Sequence, residues 1–199
     1  SETFLFDLGT ATHSYQSRLQ SAEIGYQCGL SDCFNPTFGF RYIDFGTNSS
    51  GVYDLSIGQF QIDLLSLGRD VRNEMYGFQI GAVGTPLRGK CWSVDYRTNL
   101  GVFGTHISGR YNQQTGSVTP ITFSDAKEWT GFLAELGIRG NYWFCDCVSV
   151  YGGYRVMWLD GVTEATGINV NGVNGSSSIS MSPNTAFFHG VDVGIDARW

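Results

Sequence analysis

Apolar and polar residues alternate with a period of two along most of this 199-residue chain. In the last segment, FFHGVDVGIDARW, the residues Phe187, Val191 and Ile195 share one face, whereas Gly190 and Asp192 share the other. Successive side chains of a β-strand point to opposite faces, so this pattern predicts a strand with one apolar and one polar face. The same division recurs in six segments upstream, and the pattern therefore predicts an all-β chain.

Each of these seven segments has about the 9 to 11 residues that a tilted membrane strand needs. Residues 3–9 give a shorter segment, and antiparallel closure calls for an even number of strands, so we predict eight strands. Ten would follow if the stretch DLSIGQFQIDLLSLG formed two more strands, but it could also form an extended hairpin or a short amphipathic helix. Leu19 has the wrong parity for its segment and predicts a bulge.

The chemistry of the two faces predicts which one is inside. Gly and charged residues occupy the middle of the polar faces, whereas large aromatic residues lie on the apolar faces. A soluble barrel must pack its large apolar side chains inside, but a membrane barrel turns them outward to lipid. No run of about 18 apolar residues could form a spanning helix. We therefore predict one domain, residues 1–199, that forms a transmembrane antiparallel up-and-down β-barrel.

The connections between segments alternate in length, as they do in outer-membrane barrels. Those near 29–35, 84–90 and 142–147 are short, and those near 46–73, 105–128 and 160–185 are long. If the last strand ends in the periplasm, the long connections are external loops. Trp and Tyr anchor at both membrane surfaces, and this topology predicts two girdles. The periplasmic girdle contains Tyr26, Trp92, Tyr142, Trp143 and Trp199, and the external girdle contains Tyr42, Tyr76, Trp129 and Trp158 together with Phe187.

Charged residues on the polar faces would line the lumen. An eight-stranded barrel is just wide enough for side chains to fill it, and charges removed from water must pair or remain solvated. We therefore expect a network of Arg and carboxylate groups between strands, either as a structural filling or as a narrow polar conduit. Its predicted members are Glu23, Arg41, Asp95, Arg97, Glu135, Arg139, Arg155, Asp192, Asp196 and Arg198.

All five cysteines fall near the predicted periplasmic end, where an oxidising compartment favours disulfides. Cys28 and Cys33 flank one turn and could form a bridge. Cys91 could pair with Cys145 or Cys147, and the spacing leaves the connectivity open. A metal site or a cross-link to a partner is the functional alternative, but a C-x-C pair alone is a weak metal signal.

Other chemistry finds little support in the sequence. A net charge of −6 with scattered basic residues argues against nucleic-acid binding. His13, His106 and His189 are too far apart to form a ligand set, and His189 has the lipid-facing parity. Neither G-x-S-x-G nor H-E-x-x-H occurs, so we expect no enzyme activity, no cofactor and no metal.

The C-terminal FFHGVDVGIDARW resembles the closing strand of outer-membrane barrels. That resemblance implies recognition by the barrel-assembly machinery through the terminal aromatic residue. The segments SAEIGY, FGFRYIDF, FLAELGIRG, YGGYRVMWLDGV and FHGVDVGIDARW further resemble the β-barrel porin families of planctomycetes and related bacteria. The likeness spans most of residues 15–199 and implies a porin-like protein of the bacterial outer membrane.

The sequence therefore predicts an outer-membrane barrel that is a structural or assembly component or a narrow pore. Its expected partners are outer-membrane lipid, the assembly machinery and other envelope proteins. Two other classes remain as alternatives: a ligand-binding barrel, soluble or in the membrane, and a membrane enzyme. External loops of this length also suggest folding of the loops themselves or contact with another protein.

Overall fold

The computed structural model describes residues 7–57, 60–116, 120–145, 148–173 and 176–197. Nearly all of these residues are in strands, and none of the helical turns among them is long and apolar enough to cross a membrane. The strands are β1 Asp7–Gln27, β2 Asn35–Ile57, β3 Phe60–Arg88, β4 Trp92–Thr115, β5 Ile121–Cys145, β6 Val148–Val162, β7 Ile168–Val173, β8 Ser176–Met181 and β9 Asn184–Ala197. A 3₁₀ turn, Ala165–Gly167, precedes β7.

Seven strands form one antiparallel sheet in the order β1-β2-β3-β4-β5-β6-β9, which curls into a half-barrel. Each strand pairs with the strand before it in this order, so the up-and-down all-β prediction is confirmed. The described part of this sheet has seven strands where eight were predicted. Asp7–Gly9 belong to β1 and form no strand of their own, because they continue its pairing with β2; residues 3–6 of the predicted strand lie outside the described residues.

The two ends of the sheet differ in their connections. At one end, which we call the short-turn end, short links at 28–34 and 89–91 join β1 to β2 and β3 to β4. At the other end, the long-hairpin end, β2 continues to Ile57 and β3 begins at Phe60. The connections predicted near 46–73 and 105–128 are thus mostly extensions of strands. The extended-hairpin alternative for DLSIGQFQIDLLSLG is correct, because pairing extends from Gly46↔Arg72 to Ile57↔Phe60, with one register shift between Leu55 and Ser56.

The connection near 160–185 folds back onto the sheet. Gly161, with a φ of 78°, lies at the end of β6, and an added Cβ there would lie 2.7 Å from the Cα of Gly131. Only glycine adopts this backbone conformation readily at such a close approach. The chain then forms the 3₁₀ turn and a two-stranded hairpin of β7 and β8, which we call the inner hairpin.

The main sheet has an inner face that is buried and an outer face that is exposed. Odd-numbered residues of β2, such as Ile43 and Phe45, are buried, whereas even-numbered Phe38 and Phe40 are exposed. Leu19 pairs in regular register with Phe45 and faces inward, so the bulge predicted at Leu19 is wrong. Its parity is that of an inner apolar residue, and the register shift of β1 lies between Leu8 and Ala11.

An apolar core on the inner face was not predicted from the sequence. It consists of Ile43, Phe45, Met75, Phe103, Leu133, Met157, Leu159, Val162 and Ala186, with Leu19 and Phe188 packed against it. The inner face is therefore not lined by glycines and charges alone. Apolar residues fill the part of it between the charged groups and the inner hairpin.

Small residues on the inner face allow neighbouring strands to approach closely where the sheet bends. A Cβ added to Gly77 would lie only 2.1 Å from the backbone oxygen of Val102 on β4. Glycines inside strands commonly mark such bends and close approaches. Inward glycines are therefore required sterically, because a larger side chain would collide with the neighbouring strand.

Candidate functional site

A network of ion pairs crosses the inner face between the short-turn end and the apolar core. Arg41 on β2 donates from Nη1 to Oε2 of Glu135 on β5 over 2.6 Å, and both side chains are almost fully buried. Arg155 on β6 lies 3.4 Å from the other carboxylate oxygen of Glu135. One carboxylate therefore joins three strands, because it lies between two guanidinium groups.

A second carboxylate extends this network to β1. Glu23 pairs with Arg97 on β4 and lies 4.0 Å from Nη1 of Arg41. Neutral amides add further hydrogen bonds: Gln79 donates to Glu23 over 3.1 Å, and Asn99 donates to Glu135 over 3.1 Å. We call the connected charges Glu23, Arg41, Arg97, Glu135 and Arg155 the ion-pair network.

Two smaller groups of polar side chains lie nearer the short-turn end. Arg139 donates to Asp196 over 2.6 Å, and its guanidinium carbon lies 3.5 Å from the ring centroid of Tyr151. Asp95 accepts hydrogen bonds from Asn141 at 2.6 Å and from Thr85 at 2.7 Å. Donors from other strands therefore hold both of these carboxylates.

A cavity of about 370 Å³ lies among these groups. Asp192 is part of its lining, together with Arg97, Arg139 and Arg155. Because positive and negative groups alternate around it, it has no strong preference for a ligand of one sign. Within the described ranges, no group of three His, Cys, Asp or Glu side chains could hold a metal ion. Arg198, the last predicted member of the network, lies outside the described residues.

The inner hairpin is attached to the sheet by buried polar groups that sequence reasoning missed. Asn73 on β3 donates to the backbone oxygens of Phe45 at 3.0 Å and Thr163 at 2.8 Å, and it accepts from the Thr163 nitrogen at 2.8 Å. The Thr47 hydroxyl accepts from the Ala165 nitrogen at 2.8 Å. The sequence does show polar residues at inward positions between two apolar clusters, and buried polar groups need hydrogen-bond partners. Their partners in this connection, Thr163 and Ala165, lie about 90 or more residues away along the chain, so the sequence could not identify them.

A second apolar cluster holds the inner hairpin against the long-hairpin end of the sheet. It is formed by Val71, Ile107, Tyr111, Ala165, Ile168, Ile179 and Met181, with Leu67 and Phe123 packed against it. Burial, and then the nearby carboxylate of Glu164 in this connection, raise the pKa of Tyr15 on β1. The inner hairpin therefore covers the inner face at this end.

The outer face carries a continuous apolar belt. Ile24, Phe78 and Val193 are among its most exposed members, at 77%, 75% and 75%. The belt contains Ile24, Tyr26, Phe38, Phe40, Tyr76, Phe78, Ile80, Trp92, Leu100, Val102, Phe132, Leu136, Ile138, Tyr142, Tyr154, Trp158, Phe187, Val191, Val193 and Ile195. His189 lies on this face too, and its Nδ1 is 3.0 Å from the Tyr154 hydroxyl.

The predicted aromatic girdles divide between the two faces. The outer face holds Tyr26, Tyr42, Tyr76, Trp92, Tyr142 and Trp158, all of which have the parity of the apolar belt. Trp129 pairs with buried Thr105, and Trp143 pairs with buried Ser149, so the register gives both tryptophans the inner-face parity. Trp199 lies outside the described residues.

A row of paired, mostly charged residues borders the apolar belt on the outer face, on the side towards the long-hairpin end. Asp44, Glu74, His106 and Glu128 follow each other across four strands. Arg72 donates to both carboxylate oxygens of Asp44, at 3.0 and 2.9 Å. These hydrogen bonds lower the pKa of Asp44. His106 Nδ1 lies 2.5 Å from Glu128.

Among the four cysteines that the structure describes, no two lie at disulfide distance. Cys28 and Cys33 are free thiols, as is Cys91, so neither the Cys28–Cys33 nor the Cys91–Cys145 bridge is present. The link after β1 is held by other bonds: Thr85 donates to the Asp32 oxygen at 2.8 Å, and Tyr96 donates to the Cys33 oxygen at 3.1 Å. Cys147 lies outside the described residues, and its predicted pairing stays a prediction.

Comparison with protein-family models, with curated proteins and with solved structures gives no match to this chain. The arguments on function that follow therefore depend on the geometry of the sheet and its two faces.

Proposed function

We propose that this chain is a membrane-spanning β-barrel protein of the bacterial outer membrane, porin-like in architecture, whose interior is filled. One observation carries the proposal: the large apolar side chains are exposed on the outer face, while the charged groups pair with one another on the inner face. This is the distribution that lipid outside and a narrow polar interior favour. Monomeric soluble proteins rarely expose an apolar surface that continues across seven strands.

The height of the apolar belt supports the same proposal. On β5 the belt extends from Phe132 to Tyr142, which is about 33 Å along a strand. With a tilt of about 40° this becomes roughly 25 Å, the height of the apolar band in outer-membrane barrels. The charged row of Asp44 and Glu74 begins directly beyond the belt residue Tyr76 and its paired residue Tyr42. The belt therefore has the dimension and the boundary that a bilayer requires.

The inner face favours a structural role over an open pore. The apolar core excludes water from one level, and the inner hairpin covers the next level towards the long-hairpin end. Ion pairs with their amide partners lie at the remaining level around Glu135, beside the cavity of about 370 Å³. Two of the three levels of the described inner face are therefore occupied by apolar side chains, and this arrangement favours a structural or assembly component of the membrane over a pore.

The proposal is tested by placing a positive charge on the outer face at two depths. Val102→Arg lies in the middle of the apolar belt, and Ser108→Arg is its matched control on the same face of β4, beyond the charged row. The proteins would be refolded into phospholipid vesicles and unfolded with guanidinium. We expect Val102→Arg to lower the free energy of unfolding by about 2–4 kcal/mol and Ser108→Arg by about 1 kcal/mol or less.

Fluorescence quenching by brominated lipids, read from the outward Trp158, provides the second measurement. Strong quenching of the parent protein is expected, because this ring would face acyl chains. A soluble protein would tolerate arginine at the exposed Val102 within about 0.5 kcal/mol. Equal stabilities of the two arginine variants, together with unquenched Trp158, would reject the membrane assignment.

A further inference from the structure

Two opposite charges on neighbouring strands line the cavity of about 370 Å³ without forming an ion pair with each other. Arg155 on β6 pairs in the sheet with Gly190 on β9, and Asp192 on β9 pairs with Gly153 on β6. The two charged residues are therefore diagonal neighbours on the inner face, a relation that places residues about 7–8 Å apart. The described part of the chain holds no contact within 4.0 Å between their charged groups. Each of these charges is thus directed at the cavity and is free to meet a ligand.

Two adjacent rows of paired residues cross the cavity. The first consists of Asp95, Arg139, Gly153 and Asp192, and the second consists of Arg97, Gly137, Arg155 and Gly190. Inward side chains lie two residues apart along each strand, so about 7 Å separates the rows. The first row has a carboxylate at each end, whereas the second holds two guanidinium groups. Negative and positive groups therefore lie side by side on both walls of the cavity.

The floor between these walls is open because glycines form it. A Cβ added to Gly137 would have no atom closer than 3.9 Å. At Gly153 a Cβ would lie 2.7 Å from Oδ1 of Asp192, so this carboxylate lies over the glycine and towards the cavity. A volume of about 370 Å³ is within the range of about 300–1,000 Å³ that is typical of small-molecule sites. The space above the floor is therefore large enough for a small ligand.

The carboxylates of the first row lack a cationic partner in the part of the chain that the structure describes. Asp95 accepts hydrogen bonds from the neutral groups of Thr85 at 2.7 Å and Asn141 at 2.6 Å. These donors hold the carboxylate in place but do not neutralise its charge. For Asp192, no side-chain hydrogen bond is found within the described ranges. Both carboxylates can therefore accept hydrogen bonds from a ligand cation.

The second row supplies guanidinium donors. The Arg155 side chain is 56% exposed and lies 3.4 Å from Glu135, a carboxylate that Arg41 already binds at 2.6 Å. Hydrogen bonds between charged groups are usually about 2.7–2.9 Å long, so this contact leaves donors of Arg155 free. A guanidinium group can bind a carboxylate through two parallel hydrogen bonds. On the opposite wall, Arg97 is positioned by Glu23.

We propose that this cavity, the zwitterion site, binds an α-amino acid with a neutral side chain. The ligand carboxylate binds Arg155 and the ligand ammonium group binds Asp192, so the ligand bridges the diagonal pair. An α-amino acid carries both charges on one carbon atom, and side chains from adjacent rows can converge on it. Asp95 and Arg97 provide a further group of each sign on the opposite wall.

The surrounding charges explain why the ligand should have both signs and a neutral side chain. A ligand with one charge would neutralise one row and leave the other without a partner. A charged side chain would meet Arg139 or Glu135, whose charges Asp196 and Arg41 already neutralise. The inference does not depend on the membrane assignment, because the groups that bind the ligand lie on the inner face.

The test measures binding of radiolabelled L-alanine to the refolded full chain by equilibrium dialysis. Propionate lacks the ammonium group of alanine and ethylamine lacks its carboxylate, so these two probes test both contacts without any variant. Asp192→Asn and Arg155→Gln each remove one charge of the zwitterion site. Asp70→Asn and Arg110→Gln are the matched controls, because both residues are exposed and lie outside the cavity lining. Far-UV circular dichroism of every variant reports its strand content.

We expect saturable binding of L-alanine, and binding of propionate and ethylamine that is weaker by about tenfold or more. Asp192→Asn and Arg155→Gln should lose a similar factor, because each change removes a hydrogen bond between charged groups. The two control variants should bind L-alanine as the parent does. Equal binding of propionate and L-alanine would indicate a plain anion site and overturn the inference. The absence of saturable binding to the folded parent, or an unchanged affinity of folded Asp192→Asn, would overturn it as well.

Discussion

The guanidinium group of Arg41 donates to the carboxylate of Glu135 over 2.6 Å, although the two residues lie on β2 and β5, three strands apart in the sheet. Both side chains are almost completely buried. The pair therefore fixes the curvature of the sheet from the inside, because flattening the sheet would separate β2 from β5. Further protein groups surround the two charges: Glu23 lies 4.0 Å from Arg41, and Arg155 and Asn99 lie 3.4 Å and 3.1 Å from the Glu135 carboxylate.

Removal of one partner of this pair should be strongly destabilising. Arg41→Met leaves the buried Glu135 carboxylate with the more exposed Arg155 as its charged neighbour and Asn99 as a neutral donor, and we expect a loss of about 3–5 kcal/mol. Guanidinium unfolding of the refolded protein, followed by tryptophan fluorescence, measures this loss. Arg88→Met is the control, because Arg88 lies 4.0 Å from Asp32 with both side chains exposed; it should change stability by about 0.5 kcal/mol or less. A similar small effect at Arg41 would contradict a structural role for the pair.

Asn73 should control the attachment of the inner hairpin. Asn73→Ala removes the side-chain amide that donates to the Thr163 oxygen and accepts from the Thr163 nitrogen, and it leaves those buried backbone groups unsatisfied, which costs about 1–3 kcal/mol. We expect faster amide hydrogen exchange at Ala165 and Ile168, with little change in β4. Asn112→Ala is the control, since Asn112 is exposed at the same end of the sheet. Unchanged protection of Ala165 would show that apolar packing alone holds the hairpin.

Gly77 should tolerate no side chain. In Gly77→Ala the new Cβ would lie 2.1 Å from the Val102 oxygen, which is backbone and cannot rotate away. We expect a loss of several kcal/mol, in the range of severe overpacking, and a low yield of folded protein. Gly140→Ala is the matched control, because its Cβ would have 3.8 Å to the nearest atom. Equal refolding yields of the two variants would contradict the close approach of β3 and β4.

Asp44 should make stability depend on pH at the acidic end. Hydrogen bonds from Arg72 lower the pKa of this carboxyl group in the folded protein, and both residues lie beyond the apolar belt. The stabilisation is therefore present above the unfolded pKa of about 3.9 and is lost as the pH falls through the lower folded pKa. Unfolding midpoints measured from pH 6 downward, at about one-unit steps, should fall less steeply for Asp44→Asn. Arg72→Gln should flatten the curve in the same way, and a curve identical to the parent's would reject the assignment.

The full chain should form no stable open channel in planar bilayers. The apolar core and the inner hairpin lie at successive levels of the inner face. If one of them is removed, the other still blocks the interior. Replacing residues 165–181 with a short Gly-Ser linker should therefore leave single-channel conductance near the baseline. Phe103→Ala combined with this replacement is the comparison that opens both levels. Steady conductance of the unmodified protein would contradict a filled interior.

The period-two pattern was sufficient to predict the antiparallel strands and the separation of faces. An outward Phe78 and an inward Gln79 can be assigned from parity, because each β-strand must place successive side chains on opposite sides. The same parity placed the charges of Glu23, Arg41 and Glu135 together on one face. Local composition was also sufficient for the short turns, since each lies where alternation stops.

Only the tertiary structure determined which charges meet, which segments fold inward and where the sheet ends. The partners Arg41 and Glu135 are separated by 94 residues, and a strand pattern contains no information about contacts across a curved sheet. Asn73 and Thr163, 90 residues apart, likewise meet only because the connection after β6 folds back. The long segments read as loops became strands, because pairing satisfies their backbone groups whatever their side chains. Sequence thus determined the two faces through local strand geometry, whereas long-range packing decided which residues of these faces meet.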